Sequence, residues 1–142
     1  MSKILKIGDK ATLTKAFTEE EVFQFANLST DKNPLHLDKD FGKASIFGQR
    51  IVHGALVASL FSGLMGMTLP GEGSIYLGQS LTFKGPVAIG EEVTASVEII
   101  NIREDKPIVT LRTVCINSQG SVVIEGDAVV KAKISTGHLN SA

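Results

Sequence analysis

The sequence predicts a single α+β domain over residues 1–142. A long apolar run from Val52 to Leu69 has the spacing of a buried helix and is rich in small residues. Four later segments alternate apolar and polar residues with the period of strands, and turn residues separate them. One further strand-like segment lies near the N-terminus. A central helix followed by an antiparallel sheet is the α+β arrangement that accommodates all of these elements.

Composition and charge limit the classes of function. The chain is 43% hydrophobic and 20% charged, which is ordinary for a soluble globular protein, and its net charge of −1 does not indicate nucleic-acid binding. The run from Val52 to Leu69 is broken by His53, Ser59 and Ser62, so we expect a buried helix and no membrane partner. The single cysteine, Cys115, suits a reducing cytoplasm and lies in an apolar run, which predicts a buried side chain and not a nucleophile.

The N-terminal half contains the predicted strand Ala11–Phe17, followed by a helix. Thr18 and Glu21 form a capping box at the start of this helix. Its apolar residues continue at helical spacing to Ala26 or Leu28, so the helix leads directly into residues 29–38.

Residues 29–38 are predicted to form a compact loop. Pro34 disfavours a helix here and makes the preceding residue extended, while Asp31 and Asn33 can each close an Asx-turn. Asp38 is expected to cap a short helix after this loop.

The C-terminal half begins with the long helix from Val52. Its small residues recur three or four positions apart, which predicts that a sheet or a ligand chain packs closely against it. The small residues are Ala55, Ala58, Ser59, Ser62, Gly63 and Gly66. Four strands in a meander are predicted to follow, at Ser74–Phe83, Glu91–Arg103, Ile108–Asn117 and Ser121–Ile134.

Asp31 and His36 are the candidate catalytic residues. They are five residues apart, a spacing that a helix would not stack, but a bent loop could bring the carboxylate and the imidazole around one water. Histidine gives and takes a proton near neutral pH, which general acid–base chemistry needs. The alternative is that both side chains only cap turns and face solvent. Gly54 also has two interpretations. It is either a backbone hydrogen-bond donor at the start of a helix or a residue that lets the helix begin tightly.

The string Ser-Thr-Asp-Lys-Asn-Pro-Leu-His-Leu-Asp at 29–38 resembles the motif of the MaoC-like (R)-specific enoyl-CoA hydratases, roughly Gly-Asp-x-Asn-Pro-x-His-x-Asp. Thr30 replaces the motif glycine, and because a β-branched residue disfavours positive φ we expect a slightly different turn there. The positions that match are Asp31, Asn33, Pro34, His36 and Asp38, with Phe25 upstream and Ile51–Gly54, Ser74–Phe83 and Arg103–Ile108 downstream.

This resemblance implies a hot-dog fold, in which a curved antiparallel sheet wraps around the long helix, and a homodimer. It implies that Asp31 and His36 handle one water and add H and OH to the same face of an acyl-CoA thioester, giving an (R)-3-hydroxyacyl product for polyhydroxyalkanoate synthesis. By the same resemblance the Gly54 N–H is the oxyanion donor and Ser62 lies near the active site, although a helix serine often has no such role. Met65 is either a core residue or a wall of the acyl pocket, and Val130 is a further candidate for substrate binding. The length of Met65 favours short acyl chains.

The resemblance leaves two other classes of function open. One is a different hot-dog enzyme, either a thioesterase or an acyl-carrier-protein dehydratase, and the other is a non-catalytic module that binds acyl thioesters. A thioesterase would more often carry a carboxylate on the central helix, and Val52 to Leu69 has none. We expect no cofactor and no metal, because the histidines show no ligand spacing. The weak candidates for binding CoA phosphates are Lys43, Arg50, Lys84 and Arg103.

Overall fold

The computed structural model describes residues 4–133, which form a six-stranded antiparallel sheet and four helices. In chain order the elements are β1 (Lys10–Ala16), α1 (Glu19–Ser29), α2 (Pro34–Leu37), α3 (Lys39–Ala44), α4 (Gly54–Met67), β2 (Ile75–Gln79), β3 (Thr82–Phe83), β4 (Glu92–Ile102), β5 (Ile108–Ile116) and β6 (Val122–Lys131). The α+β prediction is confirmed. Within residues 4–133, no helix combines the length and apolar character needed to cross a bilayer.

The sheet has the strand order β1-β4-β5-β6-β2, with β3 also paired to β6. Strands β4, β5 and β6 form a meander, as predicted, but β2 pairs with β6 and not with its neighbour in sequence. The predicted meander of four strands is therefore wrong for its first strand. The predicted strand Ser74–Phe83 is also divided in two by Ser80 and Leu81, and Ile134, the end of the last predicted strand, lies outside the described residues.

One hydrophobic core joins α4 to the sheet. Every second residue of β4 is buried, with Val93, Ala95, Val97 and Ile99 at most 1% exposed, as the alternating sequence predicts. Helix α4 contributes six buried side chains to the same core. Each large apolar side chain buried there contributes roughly 1.5–3 kcal/mol, which outweighs the cost of about 1 kcal/mol for each glycine inside the helix.

Several small residues of α4 do not pack closely against the sheet. A Cβ added at Gly63 or Gly66 would meet no atom within 4 Å among the described residues, so the sheet does not pack closely there. Ala55, Ser59 and Ser62 instead line an open groove of about 450 Å³ between α4 and β2. Of the two predicted partners, the sheet does not pack closely at these positions, and a ligand chain stays a prediction.

Helix α1 begins as the sequence predicts. The Thr18 side chain accepts a hydrogen bond from the Glu21 N–H at 3.1 Å, and Glu21 accepts one from the Thr18 N–H at 2.9 Å. Because α1 ends at Ser29, it delivers the chain directly into the segment that carries the candidate site. Cys115 is fully buried in β5, and burial raises the pKa of its thiol to about 11, consistent with the predicted structural role.

Candidate active site

Three short segments of the chain converge at the candidate site. Asp31 follows α1, His36 lies in α2, and His53 immediately precedes Gly54, the first residue of α4. The fold therefore brings together residues that are up to 22 positions apart in sequence.

The turn entering the site is made by Thr30, which caps the C-terminus of α1 with φ 68°. This left-handed conformation is the one that glycine adopts most readily and a β-branched residue disfavours. The expectation that threonine would change the turn is wrong, because Thr30 adopts the positive φ itself. The left-handed backbone of Thr30, directly before Asp31, therefore costs roughly 1–2 kcal/mol.

Residues 34–37 form one helical turn, so the prediction of a loop is wrong for this part of the segment. Pro34 occupies the first helical position, where its fixed φ suits the helix and its missing N–H is not needed. The predicted Asx-turns are present: Asp31 Oδ1 accepts from the Asn33 N–H at 3.2 Å, and Asn33 Oδ1 accepts from the Leu35 N–H at 3.0 Å. Asn33 and Pro34 thereby fix the backbone that presents His36.

His36 is held in one tautomer by a main-chain carbonyl. Its Nδ1 lies 2.7 Å from the Ile51 oxygen, and a carbonyl can only accept, so Nδ1 carries the hydrogen. The other nitrogen, Nε2, is therefore a free acceptor in the neutral ring. It lies 3.9 Å from Oδ2 of Asp31. The His36 side chain is 10% exposed and that of Asp31 is 50% exposed, so the pair spans the boundary between interior and solvent.

The sequence predicts no chemical role for His53, yet this residue contacts both Asp31 and His36. Its ring stacks on that of His36, with centroids 3.9 Å apart and planes inclined by 27°. Its Nε2 donates to the backbone oxygen of Asp31 at 2.9 Å. Phe25 of α1 packs edge-on against the same ring at 4.9 Å. The only sequence signal for this role is a histidine directly before the glycine that begins a helix.

Burial lowers the pKa of His53, and the neighbouring His36 lowers it further, while the hydrogen bond to Asp31 acts in the opposite direction. Desolvation is the largest of these effects, because an imidazolium in an apolar setting loses its hydration. The direction of this shift favours the neutral form of His53.

Asp31, His36 and His53 each bring one possible metal ligand to within 4.8 Å of the others, although their sequence spacing does not predict this. His36 Nδ1 and His53 Nε2 already serve backbone oxygens, and the stacked rings hold their lone pairs in nearly parallel planes. A tetrahedral metal needs lone pairs that converge on one point. This geometry suits proton transfer better than metal coordination.

Gly54 lines a cavity of about 580 Å³, whose lining residues do not include Asp31, His36 or His53. As the first residue of α4, it has an N–H with no partner inside the helix, and the preceding His53 supplies no side-chain cap. A Cβ on Gly54 would lie 2.7 Å from the Phe83 ring, so a side chain there would collide with the cavity wall. The other lining residues include Phe47, Ile51, Lys84 and Val87.

The three residues expected to contact the acyl chain occupy two environments. Ser62 is exposed and lines the groove between α4 and β2. Met65 is 2% exposed and Val130 is 1% exposed, and both belong to the hydrophobic core. Ser62 and Met65 are neighbours on α4 but do not present a common exposed face.

The candidate phosphate-binding cations are mostly engaged by carboxylates. Arg50 is 2.5 Å from Glu19 and only 11% exposed, so it ties α1 to the segment before α4 and is not available to a phosphate. Arg103 pairs with Asp105 at 2.7 Å, and Lys84 pairs with Glu125 at 2.8 Å. Lys84 alone among these three lines the cavity beside Gly54.

Comparison with known proteins gives the family. Residues 5–119 match the model of the MaoC like domain. The chain is 58% identical over 127 residues to the (R)-specific enoyl-CoA hydratase of Aeromonas caviae, covering 89% of this chain and 95% of that protein. It is 45% identical over 126 residues to the protein of the same name from Rhodospirillum rubrum, covering 89% and 87%. It is also 40% identical over 129 residues to a mitochondrial 3-hydroxyacyl-acyl-carrier-protein dehydratase of Solanum lycopersicum, covering 89% and 77%.

Solved structures agree with this assignment. The (R)-hydratase of A. caviae involved in PHA biosynthesis matches with a TM-score of 0.88 at 57% identity, over 89% of this chain and 96% of that one. An unliganded R-hydratase of Pseudomonas aeruginosa matches with a TM-score of 0.88 at 36% identity, over 92% and 84%. The expected hot-dog fold is thereby confirmed. From both sequence and structure, this chain belongs to the MaoC-like domain family.

Proposed function

We propose that this protein is an (R)-specific enoyl-CoA hydratase, which reversibly adds water to trans-2-enoyl-CoA to give (R)-3-hydroxyacyl-CoA. The observation that carries the proposal is the 3.9 Å separation between Asp31 Oδ2 and His36 Nε2. The relatives at 58% and 45% identity bear the name of this activity, which supports the same assignment.

A separation of 3.9 Å is too long for a direct hydrogen bond and short enough for one water to reach both atoms. The Asp31 carboxylate and the bare Nε2 of neutral His36 are both acceptors, so the water donates one hydrogen to each. Its lone pairs then face away from the pair. We place the β-carbon of the enoyl chain there, where the water oxygen can attack it.

The reaction balances with the substrate and one water. The water oxygen forms a bond to the β-carbon, and one water proton passes to Asp31 or His36 as the electrons of the double bond move towards the thioester oxygen. The protonated member of the pair then delivers a proton to the α-carbon. Because both the hydroxyl and the proton come from one side of the substrate, the addition is syn.

Negative charge on the thioester oxygen needs a donor, and the Gly54 N–H at the start of α4 is the group we propose for it. The helix dipole favours negative charge at this end, and a preorganised donor is worth roughly 3–4 kcal/mol in a transition state. The cavity beside Gly54 is lined by apolar side chains such as Phe47, Ile51 and Val87. We propose that it receives the thioester end of the substrate.

We propose that Ser62, Met65 and Val130 contact the acyl chain and that short chains are preferred. Met65 and Val130 are buried, so a long chain would have to displace core side chains. Replacing Met65 with alanine would open space, and activity on longer enoyl-CoAs should rise relative to crotonyl-CoA. A wild-type protein that hydrates four- and ten-carbon substrates equally would contradict this preference.

We propose that the protein is a homodimer joined along β2. This strand lies at one edge of the sheet. The exposed fraction is between 44% and 54% for each of Ile75, Tyr76 and Leu77. An exposed apolar edge strand is a template for pairing with another chain. The groove between β2 and the small residues of α4 adjoins this edge and gives a second copy room to pack.

We further propose a cytoplasmic enzyme of one domain that needs no cofactor or metal and supplies polyhydroxyalkanoate synthesis. Buried residues from Leu5 to Ala132 share one core, which supports a single cooperative unit. The name of the A. caviae structure, which mentions PHA biosynthesis, supports the pathway. Activity that survives dialysis against EDTA, and one unfolding transition in urea, are the expected results.

The competing function is dehydration of 3-hydroxyacyl-acyl-carrier-protein, favoured by the 40% identity to the S. lycopersicum protein. The two functions share the chemistry and differ in the thioester carrier. A thioesterase is disfavoured, because α4 carries no carboxylate.

The deciding experiment adds purified protein to crotonyl-CoA and follows the loss of enoyl-thioester absorbance. Crotonyl-acyl-carrier-protein at equal concentration serves as the matched substrate. Rapid loss with the CoA ester, and a product that is the (R)-3-hydroxy isomer on chiral analysis, is expected. No loss with either ester would contradict the proposal, and a higher kcat/KM with the carrier protein would favour the dehydratase.

A further inference from the structure

His53 is a buried titratable side chain that the proposed reaction does not use. It is 2% exposed, and it lies between α1, α2 and the start of α4. A buried histidine is ordinarily a core residue that contributes only packing. Two features of its contacts argue for a more specific role.

The first feature is that His53 touches the two proposed catalytic residues through different parts of one ring. Its edge donates a hydrogen bond from Nε2 to the main-chain oxygen of Asp31 at 2.9 Å. Its face stacks on the imidazole of His36 at 3.9 Å. Asp31 and His36 lie on opposite sides of the turn at Asn33 and Pro34, so one side chain anchors both arms of that turn.

The second feature is the state in which the ring is held. Because the Asp31 carbonyl can only accept, His53 Nε2 carries the hydrogen and Nδ1 is bare. Nδ1 is buried and has no hydrogen-bond partner among residues 4–133. The titratable groups that contact the ring are His36 and Asp31. A proton on Nδ1 would find no acceptor and would place a second positive charge against His36 whenever His36 is protonated.

We propose that His53 is a positioning residue for hydration: as a neutral ring it holds the Asp31 backbone and supports the His36 imidazole, and so sets the gap that the reacting water spans. This inference rests on the proposed function, because the gap matters only if Asp31 and His36 share that water. His53 touches neither the water nor the substrate in this role.

The effect should appear in kcat more than in KM. Reacting groups displaced by about 1 Å can lose on the order of 10² in rate, while substrate binding remote from them is unchanged. The hydrogen bond to Asp31 and the stacking on His36 can be removed separately. His53→Phe keeps an aromatic face for stacking and cannot donate. His53→Gln keeps a donor that reaches nearly as far as Nε2 and loses the ring.

A control is needed for the general cost of removing a buried polar group. Thr113 is fully buried and donates to the Gly126 oxygen at 2.9 Å within the β5–β6 pair. Thr113→Val is nearly isosteric. It removes this bond and the one that the hydroxyl accepts from Gln79 Nε2 at 3.0 Å, without touching the three segments of the site. Its loss of stability can therefore be compared with that of the His53 variants.

The experiment measures kcat and KM for crotonyl-CoA and the urea midpoint for wild type and the three variants. For His53→Phe we expect kcat about 10- to 100-fold lower, with KM changed by less than about threefold. His53→Gln loses the stacking, so its kcat should also fall, by at least about fivefold, whereas Thr113→Val should keep its kcat despite a lower midpoint. Folded His53→Phe with the wild-type kcat would overturn the inference. A loss of kcat in Thr113→Val equal to that in His53→Phe would overturn it too.

A measurement on the unaltered protein covers the case in which the His53 variants do not fold. Long-range ¹H–¹⁵N correlation spectra distinguish the two neutral tautomers from the imidazolium. We expect His53 as the neutral Nε2–H form at pH 7, and a spectrum showing Nδ1–H or the imidazolium would overturn the inference. Wild type that fails to hydrate crotonyl-CoA would instead refute the proposed function. Active wild type with unaffected His53 variants would refute only the role of His53.

Discussion

Asp31 Oδ2 and His36 Nε2 face each other across 3.9 Å, and the far nitrogen of the same His36 ring is bonded to the Ile51 carbonyl at 2.7 Å. The imidazole therefore cannot turn towards the carboxylate without giving up its anchor. Each group is held as an acceptor on one side of a space that fits a single water. Removing either group should abolish what the two achieve together.

Substitution of the pair tests this directly. We expect Asp31→Asn and His36→Gln each to lower kcat for crotonyl-CoA by about 10²–10⁴, the usual value of general acid–base catalysis, with a smaller change in KM. The double variant should be scarcely worse than the poorer single variant, because residues that act as one unit are not additive.

Circular dichroism and dimer mass provide the folding control for these three variants. Well-folded single variants that keep most of their activity would remove the pair from the mechanism. Losses that multiply in the double variant would show that the two residues act independently and that no shared water links them.

Gly54 and Phe83 can be tested as a pair. Gly54→Ala should lower kcat by about 10²–10³, the loss expected when one oxyanion donor is removed, because the methyl group keeps the thioester from the N–H. The same methyl group would also press on the Phe83 ring, 2.7 Å away. Because Phe83 is 53% exposed, its ring can move aside and the variant should fold.

Adding Phe83→Ala removes the collision and separates the two effects. The kcat of the double variant should lie below that of Phe83→Ala by the same factor by which the kcat of Gly54→Ala lies below that of wild type. Recovery of kcat in the double variant would mean that the ring, and not the blocked N–H, caused the loss.

Thr30→Gly should stabilise the protein by roughly 0.5–1 kcal/mol. Relief of the left-handed conformation is worth about 1–2 kcal/mol, and the greater freedom of glycine in the unfolded chain returns part of this. Gln24→Gly, at an exposed position inside α1, should instead destabilise by about 1 kcal/mol. Urea denaturation measures both changes, and a Thr30→Gly variant that is less stable than wild type would show that threonine is not strained there.

The lowered pKa of His53 predicts how stability depends on pH. The unfolded chain takes up a proton at this histidine near pH ~6.5, whereas the folded chain resists it until lower pH. Between the two pKa values the unfolded state therefore binds more protons than the folded state. His53 thus contributes stability that is present above pH ~6.5 and is lost as the pH falls through the folded pKa. His36 and Asp31 are the titratable groups that contact it.

Urea unfolding at several pH values between 7.5 and 5 measures this contribution. The free energy of unfolding should fall more steeply with acidification in wild type than in His53→Gln. Parallel curves for the two proteins would contradict the lowered pKa.

The dimer can be tested at the β2 edge. Wild type should scatter light with twice the 15.1 kDa mass of the chain. Leu77→Lys, at a position 52% exposed on β2, should weaken the dimer because charge on an edge strand opposes pairing. Ile7→Lys is the matched control, since Ile7 is 65% exposed beside the opposite edge of the sheet. Monomeric wild type at micromolar concentration, or equal weakening by both variants, would contradict the proposed interface.

Local patterns in the sequence were sufficient for several elements. The capping box at Thr18 and the alternation through β4 depend only on neighbouring residues, and both appear in the structure. The pairing of β2 with β6 was not predictable, because alternation shows that a strand exists and not which strand it joins. The loop predicted at Pro34 is wrong for a related reason: a proline can end one helix or begin another, depending on the cap before it.

The candidate site shows the same division. The proximity of Asp31 and His36 could be predicted because they share one short segment with a recognisable pattern. The contacts of His53 could not be predicted, since they are a stacking contact and a bond to a main-chain atom 22 positions earlier. Met65 and Ser62 are close in sequence, yet burial separates them in a way that their spacing on α4 does not reveal.

The bond from Ile51 to His36 is made by a peptide oxygen, while the Ile51 side chain lines the cavity beside Gly54. The two duties of this residue are therefore carried by different atoms and can be altered independently. Any residue that keeps the local backbone still supplies the carbonyl that orients the imidazole. Position 51 is thus one where natural variation or directed evolution can change the wall of the cavity while the carbonyl that fixes the His36 tautomer is kept.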